Sequence, residues 1–222
     1  AIGLSGIILS HIMHLVFLSP IILIFLFWEI TQTGKKLHFL KDISLGLLLG
    51  ILISSFYLIP AAYYNQFTRA HQETGFSELY KRNFINFNQL IYSKWGYGPI
   101  INNAKNGENS FQLGFAQWIS ILALFFLIIF KKLSKAHQSL SIYMLLSFTI
   151  SVFLMLDFSK PIWAFLVKFA TVDFPFRLLL PASFIASICA GIVLVNTEKK
   201  LQGFVLIFLI LIRTSIYSDP DE

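Results

Sequence analysis

Long apolar segments separated by short basic stretches are the dominant pattern of this sequence. A helix needs about 20 apolar residues, at a rise of about 1.5 Å each, to cross about 30 Å of hydrocarbon. The pattern therefore predicts six full membrane spans, at residues 12–30, 43–63, 111–130, 140–156, 179–195 and 203–217. Residues 1–10 are predicted to be the end of a further, truncated span. The chain is interpreted as a fragment of a longer protein that forms a single transmembrane domain over residues 1–222.

A break is predicted within the first apolar segment. Residues 1–28 are apolar almost throughout, and as one helix they would be about 42 Å long. His11 and His14 would then lie near the middle of the bilayer, where ionisable groups are costly. We therefore predict that the helix stops at His11 and that Pro20 kinks the next one. A single long tilted helix is the alternative. The two histidines either line an outward cavity or mark the polar end of the break.

Two irregular segments interrupt the spans. The first is a polar loop region at 64–110, where apolar residues recur at helical spacing from Phe76 to Ile91. This spacing predicts an amphipathic helix that lies on the bilayer or over the bundle. The second segment is too short to cross a membrane, because Pro175 prevents it from continuing into the next span. Residues 159–174 are therefore predicted to form an interfacial or re-entrant helix.

The positions of the lysines predict the orientation of the chain. Three short loops are basic, and they contain Lys35, Lys36 and Lys41, then Lys131, Lys132 and Lys135, then Lys199 and Lys200. Alternation of six spans brings all three loops to the same side, which the positive-inside rule identifies as the cytoplasm. The regions 64–110 and 157–178 then face outward. The predicted fold class is an all-α polytopic transmembrane bundle with outward-facing interfacial helices.

Composition supports a membrane protein and excludes several function classes. Hydrophobic residues make up 56% of the chain, charged residues only 13%, and the mean hydropathy is +0.73. The net charge of +6 does not indicate nucleic-acid binding, because the basic residues are dispersed and flank apolar segments. The sequence contains no nucleotide-binding glycine loop, zinc-type cluster or nucleophile elbow. The residues themselves therefore predict no metal site and no cofactor.

The candidate chemistry lies in the second outward segment. Arg177 directly precedes a predicted helix N-terminus, where free amides and the helix dipole favour anions. Its guanidinium group also has the planar geometry that suits phosphate. The candidate residues for a lipid-phosphate site are Arg177, Lys160, Asp173 and His11. The alternative is that Arg177 reaches toward lipid headgroups or pairs with Asp173.

Several short motifs occur in order along the chain: Leu9-Ser10-His11, Phe56-Tyr57-Leu58-Ile59-Pro60-Ala61, Gln112-Leu113-Gly114, Ser159-Lys160-Pro161-Ile162-Trp163 and Phe174-Pro175-Phe176-Arg177. Together they resemble the bacterial pyruvoyl-tetrahydropterin-synthase-related polytopic membrane proteins. That family is similar to the YfhO-like proteins and to the wider GT-C glycosyltransferases. The resemblance covers nearly the whole chain, which matches the C-terminal half of such a membrane domain. In the family pattern Phe-Pro-Trp-Arg, Phe176 replaces the tryptophan and Arg177 matches the arginine.

The resemblance implies a GT-C-like bundle in the bacterial cytoplasmic membrane. Such a protein would transfer a sugar from a polyprenyl-phosphate donor at the outer face, so the implied partners are membrane lipid and polyprenyl-phosphate sugar. The catalytic carboxylate of these proteins usually lies in a first outer loop that this fragment would lack, and the catalytic residue is therefore unassigned. A divalent metal is left open. A transporter or flippase for lipid-linked substrates and a non-catalytic membrane scaffold are the alternatives.

Overall fold

A computed structural model describes residues 1–67, 80–81, 83–93, 110–167 and 174–197. Within these ranges the secondary structure is helical, as the sequence predicts. The α-helices there are α1 (Ile2–Ser10), α2 (Ile12–Gln32), α3 (Lys36–Asn65), α4 (Phe87–Ile91), α5 (Phe115–Ile129), α6 (Lys135–Met155), α7 (Lys160–Leu166) and α8 (Leu179–Val195). Two 3-10 turns, Asp157–Ser159 and Pro175–Leu178, directly precede α7 and α8.

Four helices of the described chain are long and apolar enough to cross a membrane. They cover His14–Gln32, Lys36–Asn65, His137–Met155 and Pro175–Val195. α5 is also apolar, but its 15 residues are fewer than the about 20 that a perpendicular span needs. By the length and apolarity of these helices, the chain is a membrane-spanning protein. The predicted span at 203–217 lies outside the described residues, so the count of six full spans stays a prediction.

The predicted break at His11 is confirmed. α1 ends at Ser10, and His11 has an extended backbone, with φ −170° and ψ 120°, before α2 begins at Ile12. The backbone N–H of His14 donates to the carbonyl of His11 at 2.9 Å, so His11 starts the hydrogen bonding of the new helix. The alternative of one long tilted helix is therefore wrong.

Pro20 lies inside α2, where it removes one backbone donor. Because proline has no N–H, the carbonyl of Val16 loses the donor that a regular helix would supply four residues later. The hydroxyl of Ser19 donates to that carbonyl instead, at 3.0 Å. Hydrocarbon offers no water to replace a missing hydrogen bond, so this local repair allows a proline within an apolar helix.

The chain forms two compact units. Of the described residues, the first contains 1–67, 80–81, 83–86, 154–167 and 174–178, and the second contains 87–93, 110–153 and 179–197. In the first unit α1 packs against α2 and α3, and α2 also contacts the Pro175–Leu178 turn. In the second unit α5 packs against α8, and the turn after α5 leads into α6.

Small residues allow α1 to approach α3 closely. Gly46, Gly50 and Ser54 lie four residues apart along one face of α3. A Cβ atom on Gly50 would lie 3.0 Å from the carbonyl oxygen of Ala1 and 2.9 Å from Cδ2 of Leu4. Spaced small residues are typical of close helix contacts in membranes, where association depends on packing.

The predicted amphipathic helix from Phe76 to Ile91 is wrong as one continuous element. Residues 80–81 form a 3-10 turn, residues 83–86 are not helical, and only Phe87–Ile91 forms a helix. Ile85 instead forms an isolated β-bridge with Leu156, in which its N–H donates to the carbonyl of Met155 at 3.1 Å. The end of α6 leaves carbonyl groups without helical donors, and this tertiary contact overrides the local helical spacing.

The predicted helix at 159–174 corresponds to α7 over Lys160–Leu166. Residues 168–173 lie outside the described chain, and Phe174 is not helical. Pro161 stands in the first turn of α7, where proline is favoured because the amide there has no helical acceptor. The interfacial or re-entrant placement of this helix stays a prediction.

Candidate functional site

Trp163 anchors α7 within the first unit. Its ring centroid lies 6.1 Å from that of Phe17 on α2, 6.5 Å from Tyr80 and 6.2 Å from Phe84. The ring of Tyr80 is nearly parallel to the indole, whereas that of Phe84 meets it edge-on. Trp163 and Phe84 are each 1% exposed. The four rings form a packed aromatic cluster that fixes α7 against α2 and against residues 80–84.

The same tryptophan completes the hydrogen bonding at the end of α6. Its Nε1–H donates to the carbonyl of Leu154 at 2.9 Å. The hydroxyl of Ser159 lies within hydrogen-bond distance of the same carbonyl, at 3.0 Å, and of the Leu156 carbonyl, at 2.8 Å. The last carbonyls of a helix need partners from outside it. The Ser159–Trp163 motif therefore positions α7 by capping α6.

Lys160 lies at the edge of the aromatic cluster and forms an ion pair. Its Nζ is 2.7 Å from Oδ2 of Asp157 and 5.7 Å from the centroid of Phe84. About half of each charged side chain is exposed, so the pair contributes only about 0–1 kcal/mol to stability. An anionic ligand would compete with Asp157 for this ammonium group at little cost.

Arg177 is held in the 3-10 turn that precedes α8. Its backbone N–H donates to the carbonyl of Phe174 at 3.1 Å, and its guanidinium carbon lies 4.8 Å from the Phe174 ring centroid. Pro175 and Leu178 on either side are buried, whereas Arg177 itself is partly exposed. A guanidinium group over a ring face gains a cation–π attraction that restricts its orientation. The turn therefore presents a basic group at the start of a membrane-length helix.

The structure brings three of the four candidate residues into one unit. His11, Lys160 and Arg177 all belong to the first unit, and Asp173 lies outside the described residues. α2 begins directly after His11, contacts α7 through Phe17 and also contacts the turn that carries Arg177. The His11 ring is exposed and lies 5.4 Å from that of His14. The elements that carry these candidates are thus linked through one helix.

Sequence reasoning missed the side chains that orient the candidate cations. Asp157 lies three residues before Lys160, and Phe174 lies three residues before Arg177. This spacing brings side chains together in helical turns, so the sequence carried a signal for both pairs. Phe84 is distant from Lys160 along the chain, and no local pattern indicates that contact.

Within the described part of the chain, no three or more His, Cys, Asp or Glu residues are grouped so that they could hold a metal ion. Glu73, Glu78 and Glu108 belong to the loop region that is predicted to face outward, and they lie outside that part. Comparison with protein-family models, with curated proteins and with solved structures finds no match for this chain. The GT-C resemblance accordingly stays a prediction.

Proposed function

We propose that this chain is the membrane-embedded part of a GT-C-like glycosyltransferase, or of a degenerate relative, that uses a polyprenyl-phosphate-linked sugar at the outer membrane face. The observation that carries the proposal is the placement of Arg177. It lies over Phe174, between two buried residues, in the first turn of the membrane-length helical segment Pro175–Val195. A lipid phosphate beside that turn would meet a partly exposed guanidinium group.

In the proposed reaction the sugar passes from the lipid phosphate to an acceptor hydroxyl. A hydroxyl oxygen of the acceptor attacks the anomeric carbon, and the bond from that carbon to the phosphate oxygen breaks. The polyprenyl phosphate leaves with the bonding electron pair, so negative charge grows on its oxygen. Arg177 and Lys160 would stabilise this charge as fixed donors. The acceptor proton passes to a carboxylate base that belongs to no residue assigned in this chain.

Binding of two lipids that differ only in the phosphate tests the proposal. In detergent, Arg177→Ala is expected to weaken polyprenyl phosphate binding by about tenfold, because a charge-assisted hydrogen bond is worth about 1.5–3 kcal/mol. Binding of the uncharged polyprenol should be unchanged. Arg177→Lys should retain part of the affinity, since it keeps the charge but not the planar fork. Native mass spectrometry measures both lipids on the same sample.

Lys41→Ala, near the start of α3, is the matched control because it removes one positive charge from another part of the chain. It should leave the preference for phosphate intact. If Arg177→Ala binds both lipids as the unaltered protein does, Arg177 does not bind phosphate and the proposal loses its support.

A lipid-linked-substrate transporter or flippase is the second candidate, and the break at His11 favours it. Discontinuous helices inside apolar segments are typical of transporters, where half-helix ends surround the substrate. α1 and α2 form such a pair, separated by one extended residue. In proteoliposomes a flippase would move a fluorescent polyprenyl-phosphate lipid between leaflets without consuming it. Lipid that stays in its original leaflet would exclude this function.

A further inference from the structure

All described charge in the second unit lies in one turn. Of residues 87–93, 110–153 and 179–197, the lysines and arginines are Lys131, Lys132 and Lys135, and this part of the chain contains no Asp or Glu. The three lysine side chains are exposed and lie within five residues, between the end of α5 and the start of α6. The first turn of α6 adds His137. No described carboxylate of this unit neutralises the three lysines.

The backbone of this turn favours glycine at Lys131. The N–H of Lys131 donates to the carbonyl of Ile128 and that of Lys132 to Leu127, both at 3.0 Å. This is the Schellman arrangement that ends many helices, in which the residue at the Lys131 position has positive φ and is usually glycine. Lys131 has φ 52°. A lysine kept in a conformation that disfavours its side chain indicates that the side chain itself has a role.

An exposed aromatic surface adjoins the lysines. Phe126 and Phe130 lie one helical turn apart at the end of α5, with nearly parallel rings 6.2 Å apart. Their exposed fractions are 52% and 67%. Exposed apolar rings beside a basic turn offer a surface for acyl chains next to positive charge for a headgroup. An amphiphile along α5 would therefore meet apolar rings first and positive charge at the turn.

A contact between two helix ends fixes the base of the turn. Nδ1 of His137, near the start of α6, lies 3.1 Å from Nδ2 and 3.2 Å from Oδ1 of Asn196, which follows α8. The side-chain Nδ2 of Asn196 also donates to the carbonyl of Ile192, at 2.7 Å. Asn196 offers a donor and an acceptor, so it can bind the imidazole in either tautomer. The lysines therefore extend from a turn whose neighbouring helix ends are tied together.

We propose that the Phe130–Lys135 turn binds the headgroup of an anionic phospholipid, with the acyl chains along Phe126 and Phe130. The lipid phosphate would be held by Lys131, Lys132 and Lys135. Basic clusters directly beside membrane helices recognise anionic headgroups in this way. This proposal uses other residues than Arg177, and it does not depend on the proposed glycosyltransferase function.

Competition between two phospholipids tests this site. The purified chain in neutral detergent is offered phosphatidylglycerol or phosphatidylcholine, and bound lipid is counted by native mass spectrometry. The unaltered protein should prefer phosphatidylglycerol. The triple variant Lys131→Asn, Lys132→Gln, Lys135→Gln should lose that preference by at least about tenfold, since each lysine near a headgroup contributes about fivefold. Asparagine is chosen at 131 because it tolerates positive φ.

The matched control is Lys35→Gln, Lys36→Gln, Lys41→Gln, which removes three lysines from the N-terminal end of α3, where the His38–Asp42 pair also lies. It should keep most of the preference for phosphatidylglycerol. The double variant Lys132→Gln, Lys135→Gln leaves the helix cap unchanged and should lose an intermediate amount. Equal loss in the control triple would show an effect of total charge and overturn the site, as would full preference in the 131/132/135 variant. Equal competition by soluble glycerol phosphate would also exclude a lipid site.

Discussion

At the scale of single residues, Lys131 has a side chain although its backbone conformation favours glycine. The left-handed conformation costs a non-glycine residue about 1–2 kcal/mol. Lys131→Gly is therefore expected to raise the free energy of unfolding by about 1 kcal/mol, measured by thermal or denaturant unfolding in detergent. Lys132→Gly removes the same charge from the next position and should not stabilise. If the two glycine variants unfold alike, Lys131 is not under strain.

Trp163 and Ser159 share one acceptor, and their substitutions should be coupled. Trp163→Phe removes the Nε1 donor from the Leu154 carbonyl, and Ser159→Ala removes the hydroxyl near it. Each single change should lower the free energy of unfolding by about 1–2 kcal/mol. The double variant should lose about 1 kcal/mol more than the sum, because the part-buried carbonyl of Leu154 then has neither donor. Unfolding of all four proteins measures this coupling, and strict additivity would contradict it.

The residue-level contacts differ in how far the sequence predicts them. Arg177 and Lys160 are recognisable as candidate cations because each lies within two residues of a proline, near a predicted helix start. Their near partners, Phe174 and Asp157, follow from spacing along one turn. The ring of Phe84 reaches Lys160 only through tertiary folding of a distant segment. A pattern search along the chain has no means to find such a contact.

At the scale of elements, the contact between α1 and α3 depends on the absence of side chains. A Cβ atom on Gly50 would lie 3.0 Å from the carbonyl oxygen of Ala1, directly before α1, whereas one on Gly46 would have its nearest neighbour at 3.7 Å. Gly50→Ala should therefore separate the helices and lower stability by about 1–3 kcal/mol. Gly46→Ala is the matched control, because its new methyl group fits at ordinary contact distance.

Cysteine cross-linking between α1 and α3 measures this separation in the membrane. A cysteine pair across the contact between α1 and α3, in a background without Cys189 and with Leu4 kept, should cross-link less efficiently when Gly50 is alanine than when Gly46 is alanine. Unfolding in detergent gives the stability of each variant. Equal cross-linking and equal stability of the two alanine variants would show that close packing at Gly50 is unimportant.

The sequence predicts a helix boundary well where the thickness of the bilayer determines it. It does not predict a boundary that tertiary contacts determine. The break at His11 follows from the length of the apolar segment and the cost of placing histidines in hydrocarbon. The failed prediction at 76–91 has the opposite origin. Its apolar spacing was helical, but Ile85 gives its N–H to the end of α6, and this contact requires an extended backbone. The apolar side chains Tyr80 and Phe84 are buried around Trp163 rather than on a lipid surface.

At the scale of the whole molecule, the membrane-spanning character is the best-determined property of the sequence. Apolar length alone predicts it, because lipid requires every backbone group to be satisfied within a helix. Apolar length does not predict which elements form the candidate phosphate site. Its elements are α2, α7 and the turn before α8, which come from distant parts of the chain and meet in the first unit. Only folding brings them together.

Labelling of single cysteines from the two sides of the membrane tests the predicted orientation. Ser134 precedes α6 and Phe158 follows it, and the 21 residues of that helix span about 32 Å. In a background with Cys189→Ala, which removes the buried thiol, Ser134→Cys should react with an impermeant maleimide only from the cytoplasmic side. Phe158→Cys, exposed by 83%, should react only from outside. The lysines beside Ser134 set this direction through the positive-inside rule. Labelling of both positions from one side would show that α6 does not cross the membrane.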